Sequence, residues 1–213
     1  MIRKTILAFV FGLFGFAATA EPVTIAALGD SLTQGYGLAQ PDGFAPRLES
    51  WLRAQGADVV VINAGVSGDT TAGGAARIDW TLTPEVDGVI VALGGNDLLR
   101  GIAPEVSRAN LDKILRATKE ADVKVLLIGV PAPGNYGPDY KAAFDAIYPE
   151  LAAKYGALYA PNFLSGVIGT NGRAKPGMMQ GDGLHPNPKG VALIVAALGP
   201  AVLELVARIE AGE

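Results

Sequence analysis

Short, nearly continuous apolar runs alternate along this chain with longer segments whose apolar positions recur at helical spacing. The runs are Val23 to Leu28, Val59 to Ile62, Val89 to Leu93 and Val125 to Val130, with Ala157 to Phe163 a weaker fifth. Apolar runs without polar alternation suit parallel strands that helices cover on both faces. Between them the spacing predicts helices over Phe44 to Ala54, Ala72 to Leu82, Pro104 to Ala121 and Asp139 to Tyr155, and a closing helix over Pro188 to Ile209. The third is the cleanest: Val106, Ala109, Leu111, Ile114, Leu115 and Thr118 share one face, and Glu105, Arg108, Asp112, Lys113, Arg116 and Lys119 take the other. Strands alternating with helices predict an α/β fold with right-handed crossovers, a three-layer α/β/α sandwich around a five-stranded parallel sheet. The expected strand order is the flavodoxin-like 2-1-3-4-5. The longest irregular stretch, Phe163 to His185, is rich in Gly, Asn and Met, and a loop of that length in a small domain is expected to be functional.

The first twenty residues have a different grammar. Arg3 and Lys4 form a basic start, Ile6 to Phe16 an apolar run, and Ala18-Thr19-Ala20 a small-x-small cleavage site. This pattern predicts a secretory signal over residues 1–20, cut after Ala20, and a single domain over residues 21–213. The apolar run is short for a membrane span, and Gly12 and Gly15 weaken it further, so no stable membrane insertion is expected after cleavage. The chain contains no cysteine, which excludes a disulfide framework, a cysteine nucleophile and a lipid-modified N-terminal cysteine. Periplasmic or secreted localisation is therefore expected. Loss of Arg3 and Lys4 with the signal takes 17 basic residues to 15 against 21 acidic ones, a net charge of −6. No basic patch is visible for nucleic acid or an anionic membrane, and a monomer acting on a small molecule is expected.

Chemistry gathers at the strand ends. The first strand runs into Gly29-Asp30-Ser31-Leu32, the second into Asn63-Ala64-Gly65-Val66-Ser67-Gly68-Asp69-Thr70, and the third into Gly94-Gly95-Asn96-Asp97. In open α/β sheets the ligand crevice lies beyond the carboxyl ends of the strands, at the switch point of strand order, which would bring the three segments together. The single histidine, His185, follows Asp182 by three residues. If a serine here is activated by imidazole, His185 must be the base. Ser31 would attack an ester carbonyl, and the tetrahedral oxyanion would be met by the N–H groups of Ser31 and Gly68 and the side-chain amide of Asn96. Asp182 would fix the imidazole tautomer if the segment to His185 forms a helical turn. Pro186 and Pro188 would stiffen that turn and start the last helix.

These four segments resemble the sequence blocks of the SGNH hydrolases, also called GDSL-type lipolytic enzymes: Ser31 in GDSL, Gly68 in the second block, Asn96 in GxND and His185 in DxxH. The longer wording, GDSLTQGYG, NAGVSGDTTAGG, LGGNDLLRG and DGLHPNPKG, with PAPGNYG and AFDAIYPELA, is similar to the periplasmic arylesterase and multifunctional thioesterase/lysophospholipase branch. The resemblance covers nearly the whole chain after the leader. It implies the SGNH hydrolase fold and places the acyl wall on the loop after the fourth strand, at Val130, Pro131, Ala132, Pro133, Asn135 and Tyr136. The G-x-S-x-G elbow of the α/β-hydrolases is absent.

Taken singly, each site residue has a plainer reading. Ser31 reads as a helix N-cap, Gly68 as a turn glycine, Asn96-Asp97 as a cap and His185 as a surface polar residue. One mechanism accounts for all four. Asp30 and Asp97 read as loop-ordering carboxylates, Asp69-Thr70 as a helix cap, and Met178 and Met179 as packing or acyl-pocket residues. One histidine, no cysteine and scattered carboxylates do not make a zinc site, and the first strand lacks a G-x-G-x-x-G turn, so no metal and no cofactor are expected. The expectation is a serine esterase acting through an acyl-enzyme on aryl, short- to medium-chain, thio- or lysophospholipid esters, its hydrolysis falling as acid converts the imidazole to imidazolium. The alternatives are a carbohydrate O-acetylesterase and a non-catalytic acyl- or glycan-binding module of the same fold.

Overall fold

The computed structural model describes residues 21–169 and 172–212; the leader predicted over residues 1–20, with its cleavage site, lies outside the described residues. Five strands, β1 (Val23–Gly29), β2 (Val59–Gly65), β3 (Gly88–Ala92), β4 (Lys124–Ile128) and β5 (Leu158–Ala160), form one parallel sheet in the order β2-β1-β3-β4-β5. Side chains alternate across each strand. In β1, Val23, Ile25 and Ala27 enter one core while Ala26 and Leu28 enter the other. Helices α2 (Phe44–Ala54) and α8 (Pro188–Ala211) cover the first face. Helices α3 (Thr71–Thr81), α5 (Pro104–Glu120), α6 (Pro138–Asp145) and α7 (Ile147–Tyr155) cover the second, completing the three layers the sequence predicts.

The α8 segment is long and apolar enough to cross a membrane by composition. It is instead a core helix, with Val191, Ile194, Val195, Leu198, Val202, Leu205 and Val206 buried in the first core. Asn187 caps its start, accepting from the N–H groups of Lys189 and Gly190, and Pro188 occupies the first helical position.

Two predictions need correction. The helix expected over Asp139 to Tyr155 is two helices, α6 and α7, broken at Ala146. Pro149 is the cause: it has no N–H to donate to the Asp145 carbonyl, and its ring crowds that carbonyl. The fifth strand is three residues long, not seven, and ends where Pro161 removes the next donor. Two single-turn helices, α1 (Ser31–Gln34) and α4 (Gly95–Leu99), follow β1 and β3 directly. Both are too short to leave a periodic signal, and both carry site residues.

Candidate active site

The sheet register brings the predicted segments to one level. Gly29 at the end of β1 pairs with Gly65 of β2 on one side and with Ala92 of β3 on the other. The chain therefore leaves three neighbouring strands at a common edge, where Ser31, Gly68 and Asn96 follow within a few residues. Helix α1 begins with Ser31, and its cap is Asp30, whose Oδ1 accepts from the Leu32 N–H at 3.0 Å. This revises the reading of Ser31 as a cap: it sits at the first helical position, one residue inside. Its Oγ, uncommitted to capping, lies 2.9 Å from His185 Nε2, across 154 residues of sequence.

His185 is held from both ends. Its Nδ1 lies 2.6 Å from Asp182 Oδ2, while Asp182 Oδ1 accepts from the backbone N–H groups of Leu184 at 2.9 Å and His185 at 3.0 Å. The segment is not the helical turn expected from its spacing. It is an Asx turn with Gly183 in the left-handed region at φ 69°, a conformation that a residue with Cβ adopts only with strain. These donors hold the Asp182 carboxyl well below the usual carboxylate range, at about 2, with the imidazole hydrogen bond the largest influence. An ionised carboxylate only accepts, so Nδ1 carries the proton and the Nε2 lone pair faces Ser31. Pro186 pairs with Met179 across a short antiparallel bridge, which pins the far side of the turn.

Gly68 and Asn96 stand on the flanking strands' continuations. Among the described residues, the backbone N–H groups of Ser31 and Gly68 have no acceptor. The Asn96 Nδ2 donates one hydrogen to Asp30 Oδ2 at 3.3 Å, leaving its second free. Asp30 is 6% exposed, and burial pushes its carboxyl up against the opposing pull of the Leu32 N–H, the His185 charge and the Asn96 amide. Asp97 is fully buried, accepting from Thr71 N–H and Oγ1 and from Ser107 Oγ, so it joins α3, α4 and α5. Both aspartates order the site's loops, as their positions at strand ends predict. Thr70 caps α3, as the Asp69-Thr70 reading expects.

The structure also shows supports that the sequence reading passed over. Arg77 on α3 donates to the carbonyls of Gly29 at 2.9 Å and Ala64 at 2.7 Å and pairs with Asp69 at 2.7 Å, binding the ends of β1 and β2 to the Gly68 loop. Arg100 donates to the Gly68 carbonyl at 2.8 Å. Tyr148, fully buried, donates to the Leu93 carbonyl at 2.9 Å beneath Gly94, where a Cβ would fall 2.0 Å from its Oη. The Tyr36 ring packs against the His185 imidazole at 4.7 Å, and Gln180 ties the Tyr36 and Pro186 carbonyls together. The one available signal was Arg77, the lone cation in a helix of small residues, TAGGAARIDWT.

The loop expected to face the acyl group is mixed. Val130 borders a small apolar cavity beside Asp30, Leu32 and Gly95, whereas Ala132 is a core residue whose N–H reaches Asp145. Pro131 and Pro133 are exposed, and Asn135 lies in a short turn before Tyr136, which donates to the Leu98 carbonyl over Gly101. Met178 and Met179 pack against the first core. Among the described residues no group of three or more His, Asp or Glu side chains is placed to hold a metal.

Comparison with known proteins fits this geometry. The model of the GDSL-like Lipase/Acylhydrolase family matches residues 27–193. Esterase TesA of Pseudomonas aeruginosa is 39% identical over 186 residues, which cover 87% of this chain and 90% of that protein. An Escherichia coli protein named as a thioesterase, protease and lysophospholipase is 38% identical over 172 residues, 80% of this chain and 78% of its own length. The crystal structure of AlinE4, a SGNH-hydrolase family esterase, superposes with a TM-score of 0.72 at 43% identity, covering 88% of this chain and 98% of that one.

Proposed function

The chain belongs to the GDSL-like lipase/acylhydrolase family of carboxylic ester hydrolases, and we propose that Ser31, His185 and Asp182 carry its reaction, with Ser31, Gly68 and Asn96 as the oxyanion hole. The observation that supports this most is the continuous hydrogen-bonded path from Asp182 Oδ2 through the imidazole to Ser31 Oγ, 2.6 Å and then 2.9 Å. His185 Nε2 takes the Ser31 proton as Oγ attacks the carbonyl carbon. The carbonyl oxygen becomes an oxyanion, received by the Ser31 and Gly68 N–H groups and the free hydrogen of Asn96 Nδ2. Collapse of the intermediate breaks the bond to the alcohol or thiol, which leaves with the proton from His185. Water then repeats the sequence on the acyl-Ser31 ester and regenerates the free hydroxyl.

The same atoms serve esters and thioesters, because the donors meet the acyl oxygen that both share. Export with cleavage after Ala20 is part of this proposal, resting on the leader's tripartite pattern. A fluorophosphonate probe tests the mechanism: it should label Ser31, and the His185→Ala variant should label at least 100-fold more slowly. Labelling elsewhere, or undiminished labelling of that variant, would sink it.

A further inference from the structure

Building on the esterase reading, we infer that the groove beside Tyr36 receives the alcohol portion of the substrate, and that this portion is uncharged and polyhydroxylated. The leaving oxygen must take its proton from His185 Nε2, so the alcohol lies on the imidazole side of Ser31, away from the donors on Gly68 and Asn96. On that side lies Tyr36, whose ring packs against the imidazole and which also borders a groove of about 570 Å³, bounded by α1, α2 and the edge strand β2. By contrast, the cavity near Val130, beside the oxyanion side, is about 50 Å³ and lined mainly by apolar groups.

The groove's wall defines the chemistry it can recognise. Gln34, Gln40 and Ser50 supply amides and a hydroxyl, while Asn63 on the same wall is held by the Gly65 N–H and the Gln34 carbonyl. The Gln40 side chain has no hydrogen-bond partner among the described residues, and Gln34 uses only its Oε1, toward Ser67, leaving its amide hydrogens free. Ser50 Oγ donates to the Pro46 carbonyl at 2.9 Å and keeps its lone pairs. Neutral donors and acceptors side by side match alcohol hydroxyls, which both give and accept. The sole ionic group on the wall, Glu49, is engaged by the Val61 N–H at 2.8 Å and by Arg53 at 3.2 Å. No cation lines the groove among the described residues, so a phosphate there would lack its partner and face Glu49.

The test compares kcat/KM for three butyrate esters, of glycerol, of a methyl hexoside and of ethanol, in the wild-type protein and in Ala39→Trp and Gln40→Ala. Ala39 is exposed and lines the groove, so tryptophan fills it from the rim. At least one polyol ester should exceed the ethyl ester by about tenfold in the wild type, and that ratio should fall about fivefold or more in Ala39→Trp, through KM. A smaller fall is expected in Gln40→Ala. Preference for the glycerol or the hexoside ester identifies the source of the polyol. A wild-type ratio near one, or a ratio that Ala39→Trp leaves within about twofold, overturns the inference while leaving the esterase intact. Hydrolysis of none of the three would overturn this inference, and the esterase reading falls with it only if p-nitrophenyl butyrate is not turned over either.

Discussion

At the scale of single residues, the proposed reaction turns on how Asp182 sets the state of His185. Its carboxylate accepts from two backbone N–H groups and the imidazole at once, so one side chain fixes the turn, the tautomer and the ring orientation. Asp182→Asn should therefore lower kcat by about 10²- to 10⁴-fold with little change in KM, as steady-state kinetics would show. The same contacts have a pH signature. The carboxyl is held at about 2 in the folded protein against an ordinary 3.8, so its stabilisation is present above pH 4 and is lost as pH falls toward 2. Denaturation midpoints of wild type and Asp182→Asn should differ at pH 5 and converge near pH 2. Ser31, Gly68 and Asn96 were legible in the sequence because polar, glycine-rich segments follow three strand ends, and His185 because it is the single histidine, three residues after Asp182. Tyr36 and Gln180 were not, because their roles depend on a loop path that no periodicity encodes.

Elements position these residues through a few buried polar contacts. Arg77 carries the ends of β1 and β2 and the loop before α3 on one guanidinium, with only 23% of its side chain exposed. Arg77→Met should cost about 2–4 kcal/mol in urea denaturation, since it removes charge-assisted hydrogen bonds and leaves Asp69, 14% exposed, without its partner. Tyr148→Phe should cost about 1–3 kcal/mol, because the Leu93 carbonyl beneath the Gly94 turn then stays buried and unpaired. The strands and long helices were readable from apolar spacing, and α2 has the bounds that spacing predicts. The break between α6 and α7 was missed because the apolar pattern runs on through Pro149, so periodicity outvoted a backbone rule. Helices α1 and α4 were missed because a single turn has no period.

For the molecule as a whole, the strand order collects the machinery at one edge of the sheet. With β1 between β2 and β3, Ser31, the proposed nucleophile, stands between the two segments that carry Gly68 and Asn96, the proposed oxyanion donors. His185 arrives from the far end of the chain because the irregular stretch before α8 returns across that edge. The apolar α8 is committed to the core, which leaves the leader as the segment expected to engage a membrane. Expressed with its leader in a bacterial host, the protein should be recovered outside the cytoplasm with Glu21 as its first residue by mass spectrometry. Retention of the leader would contradict the cleavage assignment. The central claim is that one serine carries the acyl group between two half-reactions. Its most direct test is rapid mixing with p-nitrophenyl butyrate, followed by an acid quench and peptide mass mapping. A p-nitrophenolate burst of about one equivalent per protein and a butyryl group on Ser31 are expected. A butyryl group on another residue, or a Ser31→Ala variant that turns over at the wild-type rate, would contradict that claim.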